Sequence, residues 1–566
     1  MKKILSVFLA ALMLFSLCGV AVSAADEELV ITVVNDLHYN KNYTSMASYK
    51  GNSVNKDFAH IGNSSRLPHE ANAIIDGFFK EAASNNSSYI LIPGDITDSG
   101  KADEVADIVA MFKAFEQKTG KKIYVVPGNH DVLKRSKAKF IEEYADFGYN
   151  QAIVRDANSA SYVVELNDEY RLIAIDSTTE GDGRHSVFAQ RLQWIAEQGE
   201  KAKADGKKLI GMHHHNFLEH MIFSGIIHPN AVVTAKNEGA AEVYAKAGIK
   251  YMFTGHTHDH DIAAYTAEDG TVVYDAVTGS LNGYGSPYRV VTFGDTVKFE
   301  TKNVEKIDVS LLPGCISANA KALAESNYLE YTKIATDLSC ELVFNSYTTA
   351  RGLKSFLKLE DAAMNELIDK VGDKLNEALN MPMEKADETE AGKSIESIVE
   401  KYNTFIPDTD YKNMIDLAVT IYQAHNWGDE YFPSYSDEAI ILTRGLAAVL
   451  SYALSDVSGE EYAKVLSFIV DLLDVKVNIP VNFLNYTGDA LKRFEGAEIL
   501  VTTAILPLVT EFTTDNAPAD RNVTLPGYAE LVEVEKELTF FEKIMNFFKM
   551  LAETFMTLFA FVPFWK

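Results

Sequence analysis

Five short apolar runs in the first half of the chain each end in a cluster of Asp, Asn, His or Gly, and this recurrence limits the fold more than any other feature. Leu29–Asn35 leads into Asp36-Leu37-His38, Tyr89–Pro93 into Gly94-Asp95-Ile96-Thr97-Asp98, and Ile123–Pro127 into Gly128-Asn129-His130-Asp131. Leu209–Met212 leads into His213-His214-His215, and Tyr251–Thr254 into Gly255-His256-Thr257-His258. The runs have the length and the β-branched and aromatic content of buried strands. Amphipathic segments at Glu70–Ala83, Glu104–Thr119, Ala189–Lys203 and Ala240–Ala247 alternate with them as helices, and Ile262–Thr266 and Thr271–Ala276 flank Asp269-Gly270 as a hairpin. This alternation specifies an α/β layered domain from Leu29 to about Asn303. Strand carboxyl ends converge in open α/β sheets, so the five loops are expected to share one crevice.

The clusters supply oxygen and imidazole ligands and no thiolate, a set that suits Mn, Fe, Zn or Co better than Ca or a structural zinc. One metal needs fewer ligands than are present. A carboxylate such as Asp95 can bridge two ions about 3.5–4 Å apart, the arrangement that clamps the attacking and leaving oxygens of a phosphoryl displacement. In Asp36-x-His38 and His256-x-His258 the paired side chains reach neighbouring ions if the loop bends, and glycines before Asp95, Asn129 and His256 allow sharp turns. Of 14 histidines, all but His425 lie before residue 261, so imidazole chemistry belongs to the first half.

The ordered set resembles the calcineurin-like metallophosphoesterase superfamily, whose signature runs Asp-x-His, Gly-Asp-x-x-Asp, Gly-Asn-His-(Asp/Glu), a single or doubled His, then Gly-His-x-His. Thr278-Gly279-Ser280-Leu281 is similar to a stretch that follows the last motif. The resemblance covers about residues 28–300. It implies an α/β fold, a β-sandwich flanked by helices in αββα layers, with a centre for two divalent transition-metal ions at one edge. It implies one ion on Asp36, His38, Asp95 and His258, and a second sharing Asp95 and taking Asn129, His256 and His214, with His213 as the alternative to His214. The implied reaction is hydrolysis of a small phosphodiester or phosphomonoester by in-line attack of a metal-bound hydroxide. His130 would then face the substrate as the acid, and Asp98 would hydrogen-bond His130 and fix its tautomer. Asp131 would be a turn residue or a second orienter. Asp98 stands where purple acid phosphatases carry a metal-bound tyrosine, and Ser99 where protein phosphatases of this type carry Arg, so the pattern is closer to the bacterial phosphodiesterase-like branch. His69, His185, His220, His228 and His260 carry no motif role, although His220 or His228 could lie near the mouth of the site.

After about residue 305 the texture changes. Leu359, Met364, Leu367, Ile368, Val371, Leu375 and Leu379 follow a helical period, and Pro382, Pro407, Pro433, Pro480 and Pro507 break the later segments. The expected plan is a signal peptide at 1–24, a metallophosphoesterase domain at 25–304, a mainly α-helical domain of undisclosed role at 305–535, and an amphipathic C-terminal helix at 536–566. Lys2 and Lys3 before the apolar run Ile4–Val22, then Val22-Ser23-Ala24, have the order of a secretory signal, with an uncleaved anchor as the rival. The protein is thus expected outside the cytoplasm, secreted or surface-associated. The final helix, with Phe541, Ile544, Phe548, Leu551 and Phe555 on one face, suits either a membrane surface or the protein's own core. Cys315 and Cys340 are left to pair or to stand as two buried thiols.

With 80 Asp+Glu against 52 Lys+Arg the formal net charge is −28, which excludes a nucleic-acid partner, since phosphate backbones are held by Lys- and Arg-rich surfaces. The expected function is therefore a secreted phosphoesterase with a two-metal centre. The alternative is a surface-associated binding protein whose helical half carries the function.

Overall fold

The computed structural model describes residues 28–41, 51–64, 66–178, 189–220, 239–386, 392–428, 430–473, 481–512 and 520–528. The expected signal peptide and C-terminal amphipathic helix, along with His185 and His228, lie outside them.

Two mixed sheets stack face to face. The first runs in the order β13-β12-β11-β1-β2-β3, comprising β1 (Leu29–Val33), β2 (Tyr89–Ile92), β3 (Lys122–Val125), β11 (Pro287–Phe293), β12 (Thr296–Asn303) and β13 (Asn522–Pro526). The second runs β4-β5-β6-β7-β8-β10-β9, comprising β4 (Val154–Arg155), β5 (Tyr162–Glu165), β6 (Tyr170–Ala174), β7 (Lys208–Met212), β8 (Ile249–Thr254), β9 (Ile262–Thr266) and β10 (Val272–Val277). Strands β1, β2 and β3 are mutually parallel, as are β6, β7, β8 and β10, while β9–β10 is the expected hairpin.

Side chains alternate across a strand, so a strand buried on both faces feeds two cores. Ile210 and Met212 of β7 and Tyr251 and Phe253 of β8 enter the core between the sheets, meeting Ile31, Val33, Leu91 and Val291. Their neighbours Leu209, Ile249 and Met252 point the other way, onto Ala240, Tyr244 and Ile195 of the helices Ala240–Ala247 and Ala189–Ala204. Ile74, Phe78 and Phe112, from helices Ala71–Ala82 and Ala102–Thr119, cover the outer face of the first sheet. These are the αββα layers the resemblance implies.

Beyond Asn303 the chain is mainly helical, as expected. Met364, Leu367, Ile368 and Val371 form a stripe on the helix Ala362–Leu379 and pack on Tyr462 and Leu466. One element departs from the expectation of a helical run to about 535: Asn522–Pro526 is a strand that returns to the first half and pairs antiparallel with β12. At five residues it is too short for a period of two to stand out from the helical segments before it. Cys315 and Cys340 are two free thiols, and burial raises Cys340 to about 12. Among the described residues no helix is long and apolar enough to cross a membrane.

Candidate metal centre

Carboxyl ends of strands from both sheets meet at one edge. β1, β2 and β3 present Asp36 and His38, Asp95 and Asp98, and Asn129 and His130; β7 and β8 present His214 and the pair His256 and His258. The loops are wound tightly. Gly94 has φ 93°, and a Cβ on Gly128 would collide with the backbone and carboxylate of Asp95. Asp131 locks two of the loops together, its carboxylate accepting from the backbone N–H of Ile96, Thr97 and Gly128 at 2.9–3.2 Å. It is therefore the turn residue of the two roles open to it.

Asp36, His38, Asp95, His256 and His258 all have left-handed backbones, with φ of 51°, 41°, 45°, 72° and 67°. Non-glycine residues visit this region rarely. Each instance costs of order 1–3 kcal/mol and persists where its surroundings hold it, typically at functional sites. Five instances on five candidate ligands show that the fold holds these side chains in positions their backbones do not favour.

The donor atoms form two adjoining groups. In the first, His38 Nε2 lies 3.3 Å from His258 Nε2, 3.9 Å from Asp36 Oδ1 and 3.7 Å from Asp95 Oδ2, and His258 Nε2 is 3.6 Å from Asp36 Oδ1. In the second, His214 Nε2 lies 2.9 Å from Asn129 Oδ1 and 3.4 Å from Asp95 Oδ2, and His256 Nδ1 is 3.0 Å from Asn129 Oδ1. Ligands held about 2.0–2.2 Å from one ion are separated by roughly 3–3.5 Å, so both groups have the size of a coordination sphere. Asp95 Oδ2 belongs to both, which is the bridging position.

The electrostatics of Asp95 and His38 agree with that geometry, while His214 holds a proton that an ion would displace. Burial would raise the Asp95 carboxyl, but the neighbouring His214 and His130 hold it well below the usual carboxylate range, ionised as a ligand must be. Burial, reinforced by Arg66, keeps His38 neutral. Burial would depress His214 too, yet the charges of Asp95 and Asp36 lift it to about 9. His213 differs: it packs its ring on Phe217 and Tyr244, and burial takes it down to about 4. Of the two, His214 is the one brought among the donors.

His130 lies over the first group, its ring 4.7 Å from that of His38 and nearly perpendicular to it, with Nε2 4.0 Å from Asp95 Oδ2. Its orientation corrects one expectation. The Asp98 side chain makes no hydrogen bond to His130; instead His130 Nδ1 lies 2.6 Å from the Asp98 backbone oxygen. A carbonyl only accepts, so Nδ1 carries the proton and Nε2 is left toward the metal ligands. The Asp98 carboxylate is occupied elsewhere, by Arg66 Nη1 at 3.1 Å and Asn40 Nδ2 at 2.9 Å, contacts across 32 and 58 residues that no local spacing discloses. Among the described residues Arg66 is the one Lys or Arg ion-paired to Asp36, Asp95 or Asp98, and it is partly exposed.

Two other histidines lie near the motifs, and one of them, His215, offers a ring nitrogen within reach of those of His214 and His256. His215, to which the sequence assigned nothing, bonds Ser177 Oγ through Nδ1 at 2.8 Å and has its ring 4.4 Å from that of His256. His220 is buried between Asp261 at 2.6 Å and Asp275 at 3.2 Å.

Comparison with known proteins agrees with this picture. Residues 29–260 match the family described as calcineurin-like phosphoesterase. Over 125 residues the chain is 34% identical to a probable glycerophosphodiester phosphodiesterase of Arcobacter nitrofigilis, covering 22% of this chain and 41% of that protein, so it spans less than half of that relative's length. Among solved structures it is similar to a dimetal phosphatase from Danio rerio, with 11% identity, 50% of this chain and 98% of that one covered, and a TM-score of 0.37. A purple acid phosphatase from yellow lupin seeds is similar at 10% identity, 49% and 52% coverage, and a TM-score of 0.34. The strand-end donors, in this order, thus lie within the stretch 29–260 that matches the calcineurin-like phosphoesterase family.

Proposed function

We propose that this chain hydrolyses small phosphoric esters outside the cytoplasm, at a centre for two divalent transition-metal ions. One observation carries the reading: Asp95 Oδ2 is common to two compact groups of nitrogen and oxygen donors. Asp36, His38, Asp95 and His258 would hold one ion, and Asp95, Asn129, His214 and His256 the other. When bound, such a pair supplies Lewis-acid charge to the phosphoryl oxygens and makes water acidic enough to furnish the nucleophile at neutral pH.

The chain's own groups supply the rest. The Asp98 carbonyl fixes the His130 tautomer, so Nε2 faces the substrate and, when protonated, gives its proton to the departing alkoxide. Arg66, anchored by Asp98 at the border of the site, binds a non-bridging phosphoryl oxygen through its remaining N–H groups, for which a planar guanidinium is well suited. A phosphodiester of small alcohols is the favoured substrate, on the similarity to a protein named as a probable glycerophosphodiester phosphodiesterase. The order of charged, apolar and small residues over 2–24 supports export.

The binding-protein alternative leaves unexplained why an imidazole of fixed tautomer stands over the ligand set. Rates on nitrophenyl phosphate and bis(nitrophenyl) phosphate, with and without added Mn, test the proposal. Mn-dependent turnover, faster on the diester, is expected; no turnover on either ester removes the enzyme reading.

A further inference from the structure

His425, the one histidine outside the first 260 residues, comes back to the metal centre. It sits near the end of the helix Met414–Trp427, in the helical half, fully buried. Its Nε2 lies 3.4 Å from Oδ1 of Asp259, the residue that directly follows His258, and its Nδ1 lies 2.8 Å from Glu430 Oε1. Asp259 is fully buried too. Burial opposes a charge on His425, but the two carboxylates outweigh it and lift the imidazole to about 10, so the contact is an ion pair.

The same helix end touches the loop again. Gly428, with φ 80°, closes the helix against His260 so tightly that a Cβ there would strike the His260 backbone oxygen. The Trp427 ring packs on Tyr284 at 4.9 Å, and its backbone oxygen accepts from Arg521, whose guanidinium lies 3.7 Å above the indole. Arg521 immediately precedes β13, the strand added to the first sheet from beyond the helices. Helix end, strand and metal-ligand loop are thus tied together.

That loop needs an external hold. His256 and His258 both carry left-handed backbones, which a free segment would relax. Some restraint comes from the first half: the His256 N–H donates to Asp36 at 3.1 Å, Thr257 Oγ1 to Asn216 at 3.1 Å, and His260 bonds Thr301 at 2.8 Å. At Asp259, between these points, His425 is the ion-pair partner among the described residues, with the Thr257 side chain and the charge of His220 also acting on the carboxylate.

We propose that His425 is a positioning residue of the metal centre: by holding Asp259 it fixes the backbone that presents His256 and His258, so that the helical half is a working part of the metal site. The inference rests on the two-metal reading above. Groups that orient ligands in this indirect way typically change metal affinity about 10–100-fold when removed.

The test measures Mn binding by the full-length protein, wild type, His425→Gln and Asp259→Asn, by calorimetry, with circular dichroism and cooperative melting as controls for folding. The expected result is a 10–100-fold weaker Mn affinity in each variant, no further loss in the double variant, and recovery of turnover at saturating Mn with KM for the ester unchanged. A folded His425→Gln protein with wild-type Mn affinity overturns the inference. So does a loss of turnover that excess Mn does not repair. A measurement on the wild type alone needs no variant to fold: Mn loading should increase hydrogen-exchange protection at 414–428 through reciprocal coupling, and unchanged protection counts against the inference. If the wild type binds no Mn, the two-metal reading itself fails, which is a separate result.

Discussion

His130 Nδ1 lies 2.6 Å from the backbone oxygen of Asp98, while the carboxylate of the same residue faces Arg66. One residue therefore serves two neighbours through different atoms, and substitutions at the three positions should have separable effects. His130→Ala should keep both metal groups intact and lower kcat by about 10²-fold or more. Asp98→Asn keeps the carbonyl that orients His130, so it should retain more of kcat than His130→Ala and act chiefly on KM by releasing Arg66. Steady-state kinetics with metal content measured on the same samples checks this. Loss of metal from His130→Ala would show that it is a ligand and not the acid.

Arg66→Gln should raise KM for nitrophenyl esters about 10–100-fold, the worth of a charge-assisted hydrogen bond of roughly 1.5–3 kcal/mol, with kcat changing less. Arg66→Lys should recover only part of the loss, because an ammonium lacks the planar pair of donors. An unchanged KM in Arg66→Gln would mean that the ion pair with Asp98 is structural only.

Asp131→Ala leaves the N–H groups of Ile96, Thr97 and Gly128 without their acceptor. Each orphaned buried donor costs of order 1–3 kcal/mol, and the two loops it joins carry Asp95 and Asn129. The variant should melt several degrees lower and bind Mn more weakly. Thermal unfolding and a Mn titration report both effects.

Stability should decline with rising pH above neutrality. Burial disfavours charge on His220, but Asp275 and Asp261 outweigh it and lift the imidazole to about 10, and His425 is raised to about 10 in the same way. Both hold protons more tightly when folded than when unfolded. Their contribution is fully present below about pH 6.5, the unfolded value, and is lost as pH rises through about 10. Urea midpoints between pH 6 and 10 should fall, and His220→Gln should flatten the decline.

Much of the centre was legible because its chemistry is written locally. Each motif follows an apolar run, and the runs became β1, β2, β3, β7 and β8 with ends shifted by one or two residues. The long-range parts were not legible. Arg66 reaches Asp98 and His425 reaches Asp259 only through the fold, and nothing in their own neighbourhoods marks them. The choice between His213 and His214 also needed three dimensions, since consecutive residues after a strand point to opposite sides and one of them had to enter the core. Strands β11 and β12 escaped for a different reason. β11 buries Arg289 in an otherwise apolar run, whereas β12 alternates Val297, Phe299 and Thr301 inward with charged residues outward, a period-two signal that could have been read.

The most direct test of the two-metal account is metal content and turnover measured together on wild type and Asp95→Asn. The account predicts about two transition-metal ions per wild-type chain, turnover of bis(nitrophenyl) phosphate that chelation abolishes and Mn restores, and joint loss of metal and turnover in Asp95→Asn. A wild-type protein that holds less than about one ion per chain and stays inactive with added Mn, or an Asp95→Asn variant that retains both, would contradict it.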